Sequence, residues 1–167
     1  DIFGRMTTFC GSLLASSTAL TDPHFSNTLV FIAEHNNKGA MGFVINRVFP
    51  RWFNELEAYR HMPALTLYAG GPVDQEHLFF LHRRPDMIPG GQAVAQGICL
   101  GGDFGQALRY LSAGIVVPTD LLLFIGYAGW DGGDLEAELS EGSWEIRNPT
   151  LSWDELQALA QSSGRFQ

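Results

Sequence analysis

Apolar residues in this chain fall into two patterns, short continuous runs and runs spaced three or four apart, and the switches between them predict strands interleaved with helices. Ser12 to Leu20 opens with apolar and small residues, and Thr28-Leu29-Val30-Phe31-Ile32-Ala33 is a nearly continuous β-rich run, so both have strand character. Between them, Asp22 before Pro23 suits an N-cap followed by proline at the first helical position, which predicts one short helical turn through Phe25. The polar stretch Glu34-His35-Asn36-Asn37-Lys38-Gly39 reads as a hairpin loop. Ala40-Met41-Gly42-Phe43-Val44-Ile45-Asn46 then returns as a strand antiparallel to the one before it.

The period changes after Pro50. Trp52, Leu56 and Tyr59 recur at helical spacing while Asn54, Glu55 and Glu57 take the other face, which predicts a short amphipathic helix from Pro50 to Arg60. Leu65-Thr66-Leu67-Tyr68 reads as a strand ended by Ala69-Gly70-Gly71-Pro72, and Leu78-Phe79-Phe80-Leu81 as another, followed by an exposed loop from Asp86 to Gln92. Asp103 is placed to cap a helix through Ala107, Leu108 and Leu111, with Gly114 as its left-handed stop. The apolar run Leu121-Leu122-Leu123-Phe124-Ile125 suits an interior strand that breaks at Gly126 into a glycine-rich turn and restarts as an acidic helix from Gly133 to Glu141. In that helix Leu135 and Leu139 share one face, with Glu138 opposite and Gly142 at the end. Ser143 to Arg147 alternates like a half-exposed strand, and the spacing of Ser152 and Glu155 is that of a capping box opening a last helix through Leu156 and Leu159. Strands come often in adjacent pairs, so an α+β fold, a mixed sheet with flanking helices, is favoured over a doubly wound parallel sheet.

Composition narrows the picture. The 167 residues, 46% hydrophobic, fit a single domain, 1–167, able to close a core without metal or disulfide staples. A formal charge of −8, with Lys38 as the sole lysine, is a poor match for a phosphate backbone. Cys10 and Cys99 are too few and too isolated for a secreted disulfide framework and read as reduced, partly buried thiols. Nothing resembling a signal peptide opens the chain and no apolar run approaches a membrane span, so a soluble cytoplasmic protein is expected.

Motifs that would name a reaction are missing. The sequence has no phosphate-binding loop, dinucleotide fingerprint, paired-histidine zinc helix or paired-cysteine motif, and no cofactor or metal is expected. Gly101-Gly102-Asp103-Phe104-Gly105 lacks the dinucleotide spacing and reads as a helix start. His24 lies near Asp22, but capping already explains the aspartate. The Arg83-Arg84 pair after His82 is the one compact basic cluster, and a surface role for it is favoured over nucleic-acid contact.

Three blocks taken together carry a resemblance: Gly39-Ala40-Met41-Gly42-Phe43-Val44-Ile45-Asn46, Tyr68-Ala69-Gly70-Gly71-Pro72-Val73, and Gly126-Tyr127-Ala128-Gly129-Trp130 running into Leu135-Glu136 and Glu138-Leu139. With Gly11 to Ala15, the Asp22 to Phe25 turn and Gly142-Ser143-Trp144 in the same order, the chain resembles the AlgH/YqgE family of bacterial proteins over nearly its whole length. It departs at Asp134, where the family pattern commonly has glutamine. The resemblance implies a bulged, mainly antiparallel sheet and no established enzymatic activity. Through members linked to transcriptional control of exopolysaccharide production, it also implies a regulatory or adaptor role.

If the glycine bends after Tyr68 and after Ile125 meet in space, Gly39, Gly42, Asn46, Gly70, Gly71, Gly126, Tyr127, Gly129 and Trp130 together line a recess roofed by the indole. The first functional reading is therefore a non-enzymatic binding or regulatory domain, with a protein partner favoured over nucleic acid and a small-molecule ligand as a further option. Tight backbone packing is the alternative for the glycines. The alternative for the function is a hydrolase or transferase built on Asp22, His24, Asn46 or Cys10, which requires those groups to converge.

Overall fold

Ten strands and three helices follow one another in the structure, a computed structural model that describes residues 8–18, 25 and 27–163. The strands are β1 (Leu13–Ser16), β2 (Leu29–Asn36), β3 (Gly39–Val44), β4 (Val48–Trp52), β5 (Thr66–Ala69), β6 (Val73–His82), β7 (Gln92–Ala95), β8 (Ile98–Leu100), β9 (Leu121–Asp131) and β10 (Trp144–Asn148). The helices are α1 (Phe104–Ser112), α2 (Asp134–Ser140) and α3 (Trp153–Ser162). All strands join one sheet in the order β10, β1, β2, β3, β9, β6, β8, β7, with β5 on β9 and β4 on β5. Among the described residues only the β5–β9 pair is parallel. The α+β class and the mainly antiparallel, bulged sheet are thus both present.

β9 organises the sheet. Leu121 to Phe124 is buried, held on one edge by Leu78 to His82 of β6 and on the other by Leu67 to Ala69 of β5. The strand does not break at Gly126, as the glycine content predicts. It runs on to Asp131, exchanging β5 for β3 as its neighbour, with Ala128 opposite Gly42 and Asp131 opposite Gly39. A strand can pass through glycines when its ladder partners supply the order that the residues lack. The turn sits instead at Gly132 and Gly133, and Gly133, in the left-handed region at φ +85°, starts α2.

The predicted helix over Pro50–Arg60 is also corrected. Pro50 and Trp52 belong to β4, which pairs only with β5 and so can hold a proline without breaking a ladder. Beyond it come two 3₁₀ turns, Phe53–Glu55 and Glu57–Tyr59, separated by an extended Leu56. A 3₁₀ turn repeats every three residues, which brings Tyr59 over Phe53 at 4.6 Å between ring centroids. The other helices start as their caps predict. Asp103 accepts the Gln106 N–H at 3.0 Å, and Ser152 and Glu155 form the reciprocal box that opens α3.

Each helix covers its own part of the core. Trp153, Leu156 and Ala160 of α3 share a cluster with Phe31, Phe43 and Phe124. Ala107 and Leu111 of α1 join Phe53, Phe80 and Leu123, and Leu135 of α2 joins Leu14, Ile32 and Trp144. Burying side chains such as Phe43 and Phe124, whose rings stack at 4.5 Å, contributes about 2–3 kcal/mol each.

Candidate functional site

The two glycine bends do meet, and where they meet the backbone is closed. The Gly70 N–H donates to the Ile125 carbonyl at 2.9 Å, and the Gly70 carbonyl accepts from the Val44 N–H at 2.8 Å. A methyl group on Gly126, which sits at φ +72°, would lie 2.5 Å from the Gly71 oxygen, and one on Gly71 would overlap the Tyr127 peptide. No side chain fits a crossing this tight. Gly70 and Gly126 are buried there, and Gly42 is buried one strand away against Phe31. These glycines form the base on which a surface is mounted.

That surface is a groove of about 500 Å³ over β3 and the second half of β9. Gly39, Tyr127, Gly129 and Trp130 line it, so four of the nine expected recess residues reach open space together. Met41 and Val73 complete its apolar wall, and Glu34, Lys38 and Asp131 bring charges of both signs. Strand alternation explains the lining: Tyr127 and Gly129 sit two apart on β9, and Met41 lies directly opposite Gly129. Tyr127 is held edge-on to Phe79 at 5.3 Å, which fixes the wall. Val73 and Met41 escape a reading of the sequence because they enter only through cross-strand register, whereas Lys38 joins from the turn beside Gly39.

Trp130 is anchored. Its indole N–H donates to Glu138 Oε1 at 3.1 Å, and the same oxygen accepts the Trp144 indole N–H at 3.0 Å. Glu138 does not lie opposite the Leu135 face as expected: three residues on, it shares that face, reaches Trp144 of the same cluster and so ties α2 to β9 and β10. Phe25 stacks against Trp130 at 6.3 Å and meets Trp144 edge-on at 5.7 Å. His35, whose side chain is wholly buried, also faces α2. Its Nδ1 accepts the Phe9 N–H at 3.0 Å, which leaves the hydrogen on Nε2, 3.4 Å from Glu136.

Asn46 does not join the groove. Its side chain accepts the Leu29 N–H at 3.0 Å and donates to the Asn27 carbonyl at 3.1 Å, bracing the approach to β2. Cys10 lies elsewhere, its thiol directed at the carbonyls of Ala33 and Val94 at 3.3 Å each. Burial, then the nearby Glu34 carboxylate, push the Cys10 thiol up, and burial does the same to Cys99, the opposite of an activated nucleophile. Asp22 and His24 lie outside the described residues, as does the turn expected there except for Phe25. Among the described residues, no three histidine, cysteine or acidic side chains come together as metal ligands.

The remaining polar groups build structure. His82 is fully buried, with Nε2 2.9 Å from the Gly101 carbonyl and Nδ1 accepting the Arg84 N–H at 3.0 Å. Burial lowers its pKa, so the ring is held neutral. The basic cluster beside it is spent on acids. Arg83 Nε bonds Asp120 at 2.7 Å, and Arg84 reaches both Asp120 and Asp86. Burial pushes the Asp120 carboxyl up, but the Val117 N–H and the two guanidiniums outweigh it and hold the group below its ordinary range.

A family model described as AlgH-like matches residues 13–153. The chain is 38% identical to a UPF0301 protein of Chlorobium luteolum over 84% of its own length and 74% of the relative's. It is 34% identical to one of Bacteroides thetaiotaomicron over 81% and 69%. Among solved structures it is similar to the AlgH protein from Pseudomonas aeruginosa, at a TM-score of 0.74 and 27% identity, covering 95% of this chain and 87% of that one. A Corynebacterium diphtheriae protein shares the fold at a TM-score of 0.72 and 19% identity, covering 88% and 78%.

Proposed function

The chain belongs to the AlgH-like family, and on that premise we propose that it is a non-enzymatic binding domain that regulates or adapts a protein partner through the groove over β3 and β9. The observation that carries this reading is the lining itself. Half-exposed Met41, Tyr127 and Trp130 surround the side-chain-free surface of Gly129, beside an exposed Val73. Partly exposed apolar side chains gathered in one concave place are what a partner covers. The rim of Glu34, Lys38 and Asp131 gives such a partner register rather than affinity. No serine, cysteine or histidine is among the described residues that line the groove.

A protein is favoured over nucleic acid by charge. The chain carries −8, and Arg83 and Arg84 are already matched by Asp120, Asp86 and Asp154. Two free thiols, Cys10 and Cys99, fit work in a reducing cytoplasm, and no helix among the described residues is long and apolar enough to cross a membrane. The test is affinity capture from a native bacterial extract with the wild type and with Met41→Glu. A stoichiometric protein retained by the wild type and lost with the variant supports the reading. Equal retention by both, or retention of nothing, overturns it.

A further inference from the structure

β6 carries a second feature that the groove does not use. Val73 is opposite Tyr127 and Leu78 is opposite Ile125, so five steps along β6 are matched by two along β9. The four residues between them, Asp74 to His77, stand opposite Gly126 alone and form a large bulge, with Asp74 in the left-handed region at φ 54°. Beneath it opens a cleft of about 570 Å³. Its wall is aromatic: Phe49, Tyr59, Phe80 and Phe104 line it, and all but Phe80 are partly exposed. The rings are set by mutual packing, Phe80 on Phe104 at 4.9 Å and Tyr59 edge-on to Phe104 at 5.7 Å.

The charge at the mouth is specific. Among the described residues no lysine or arginine lines the cleft. His77 is hydrogen-bonded to Asp74, so those two offset one another. Glu76 lies in the field of His77 but has no hydrogen bond or ion pair of its own among the described residues. A cleft with four aromatic rings and one uncompensated carboxylate is complementary to a cation with an apolar body, because ring faces attract positive charge most strongly where water is excluded. An anion would meet Glu76 and the negative ring faces together, and a neutral ligand would gain at most a hydrogen bond from the carboxylate.

We propose that the cleft under the β6 bulge is a binding site for a small organic ammonium ion, with the aromatic wall holding the apolar body and Glu76 facing the positive charge. The site stands apart from the groove over β3 and β9, and its test does not depend on that reading.

Benzyltrimethylammonium is titrated into the whole labelled chain and followed by amide chemical shifts, with phenylpropionate as an anion of similar size. Expected are saturable shifts at Gln75 to Leu78, Tyr59 and Phe104, and at least about tenfold weaker binding of the anion. Glu76→Gln changes an exposed side chain and leaves the fold intact; it weakens the cation about fivefold and does not weaken the anion. Tyr59→Leu keeps apolar volume while removing a ring and weakens the cation alone. Equal affinity for both ions, an unchanged Glu76→Gln variant, or shifts spread over other surfaces would overturn the site.

Discussion

Leu121 to Phe124, in the first half of β9, is buried between two strands, whereas from Tyr127 to Asp131 the same strand alternates between buried and exposed and lines a groove. One backbone serves both roles because Gly126 lets it change neighbours between them. The first half is held by β5 and β6 at every residue from Leu123 to Ile125, so a change there has nowhere to go. The second half is held by β3 and is in ladder register with β6 only at Val73, so that beyond the packing of Tyr127 on Phe79 its outer side lines open space. If the groove binds as proposed, substitutions on the two sides of Gly126 separate stability from binding.

The sharpest break comes at the crossing. Gly71→Ala places a methyl group on the Tyr127 peptide, and neither backbone can retreat without opening the sheet. A loss of about 3–5 kcal/mol is expected, read as a fall in the urea midpoint or as insoluble protein. A variant of unchanged midpoint would show that the crossing is looser than its geometry.

Asp120 tests the start of the first half, since it leads directly into Leu121. Asp120→Asn removes the buried charge between two guanidiniums that keep Asp154 and Asp86 as partners, at a cost of about 1–3 kcal/mol by denaturant titration. The pH dependence has a definite sign. His82 has a lowered folded pKa, so the unfolded chain takes up more protons once pH drops below about 6.5, and stability falls from there. Asp120, also lowered, adds a second loss below about 3.9, as pH falls toward its folded value. The His82 contribution to the midpoint is therefore smaller at pH 5 than at pH 7.5, against the opposite pull of the His77–Asp74 pair, and His82→Gln should remove it.

Beyond Gly126 the effects become smaller. Tyr127→Ala removes a half-buried ring packed on Phe79 and costs about 1–2 kcal/mol, yet it should abolish partner capture. Gly129→Ala is gentler still, because the added methyl group makes only ordinary contacts, the nearest at 3.4 Å to Tyr127. Less than about 1 kcal/mol is expected by thermal melting. Were Gly129→Ala as damaging as Gly71→Ala, the two halves of β9 would not differ as described.

Local chemistry made much of the fold legible. The caps at Asp103 and Ser152, the left-handed stops at Gly114 and Gly142, and the paired runs of β2 and β3 were readable because each depends on neighbours in sequence. Readings failed where tertiary pairing overrode local preference. Gly126 to Trp130 looks like a turn until β3 lies beside it, and Pro50 to Tyr59 looks helical because a period of three resembles one of 3.6 over two turns. The site was half legible for the same reason. Tyr127, Gly129 and Trp130 share one strand and could be grouped, but Val73 and Met41 join them only through register. Asn46 belongs to the same sequence block as Gly42 yet bonds to Asn27 and Leu29 instead.

The claim that one end of β9 is the recognition surface is tested most directly by photo-crosslinking. A photoreactive side chain is placed at Val73 in the groove or at Ile146 on the far edge strand β10, two exposed apolar positions of similar accessibility, 39% and 44%. The account predicts one discrete adduct with a partner protein from position 73 and none from position 146. An adduct from position 146 with none from position 73 would contradict it.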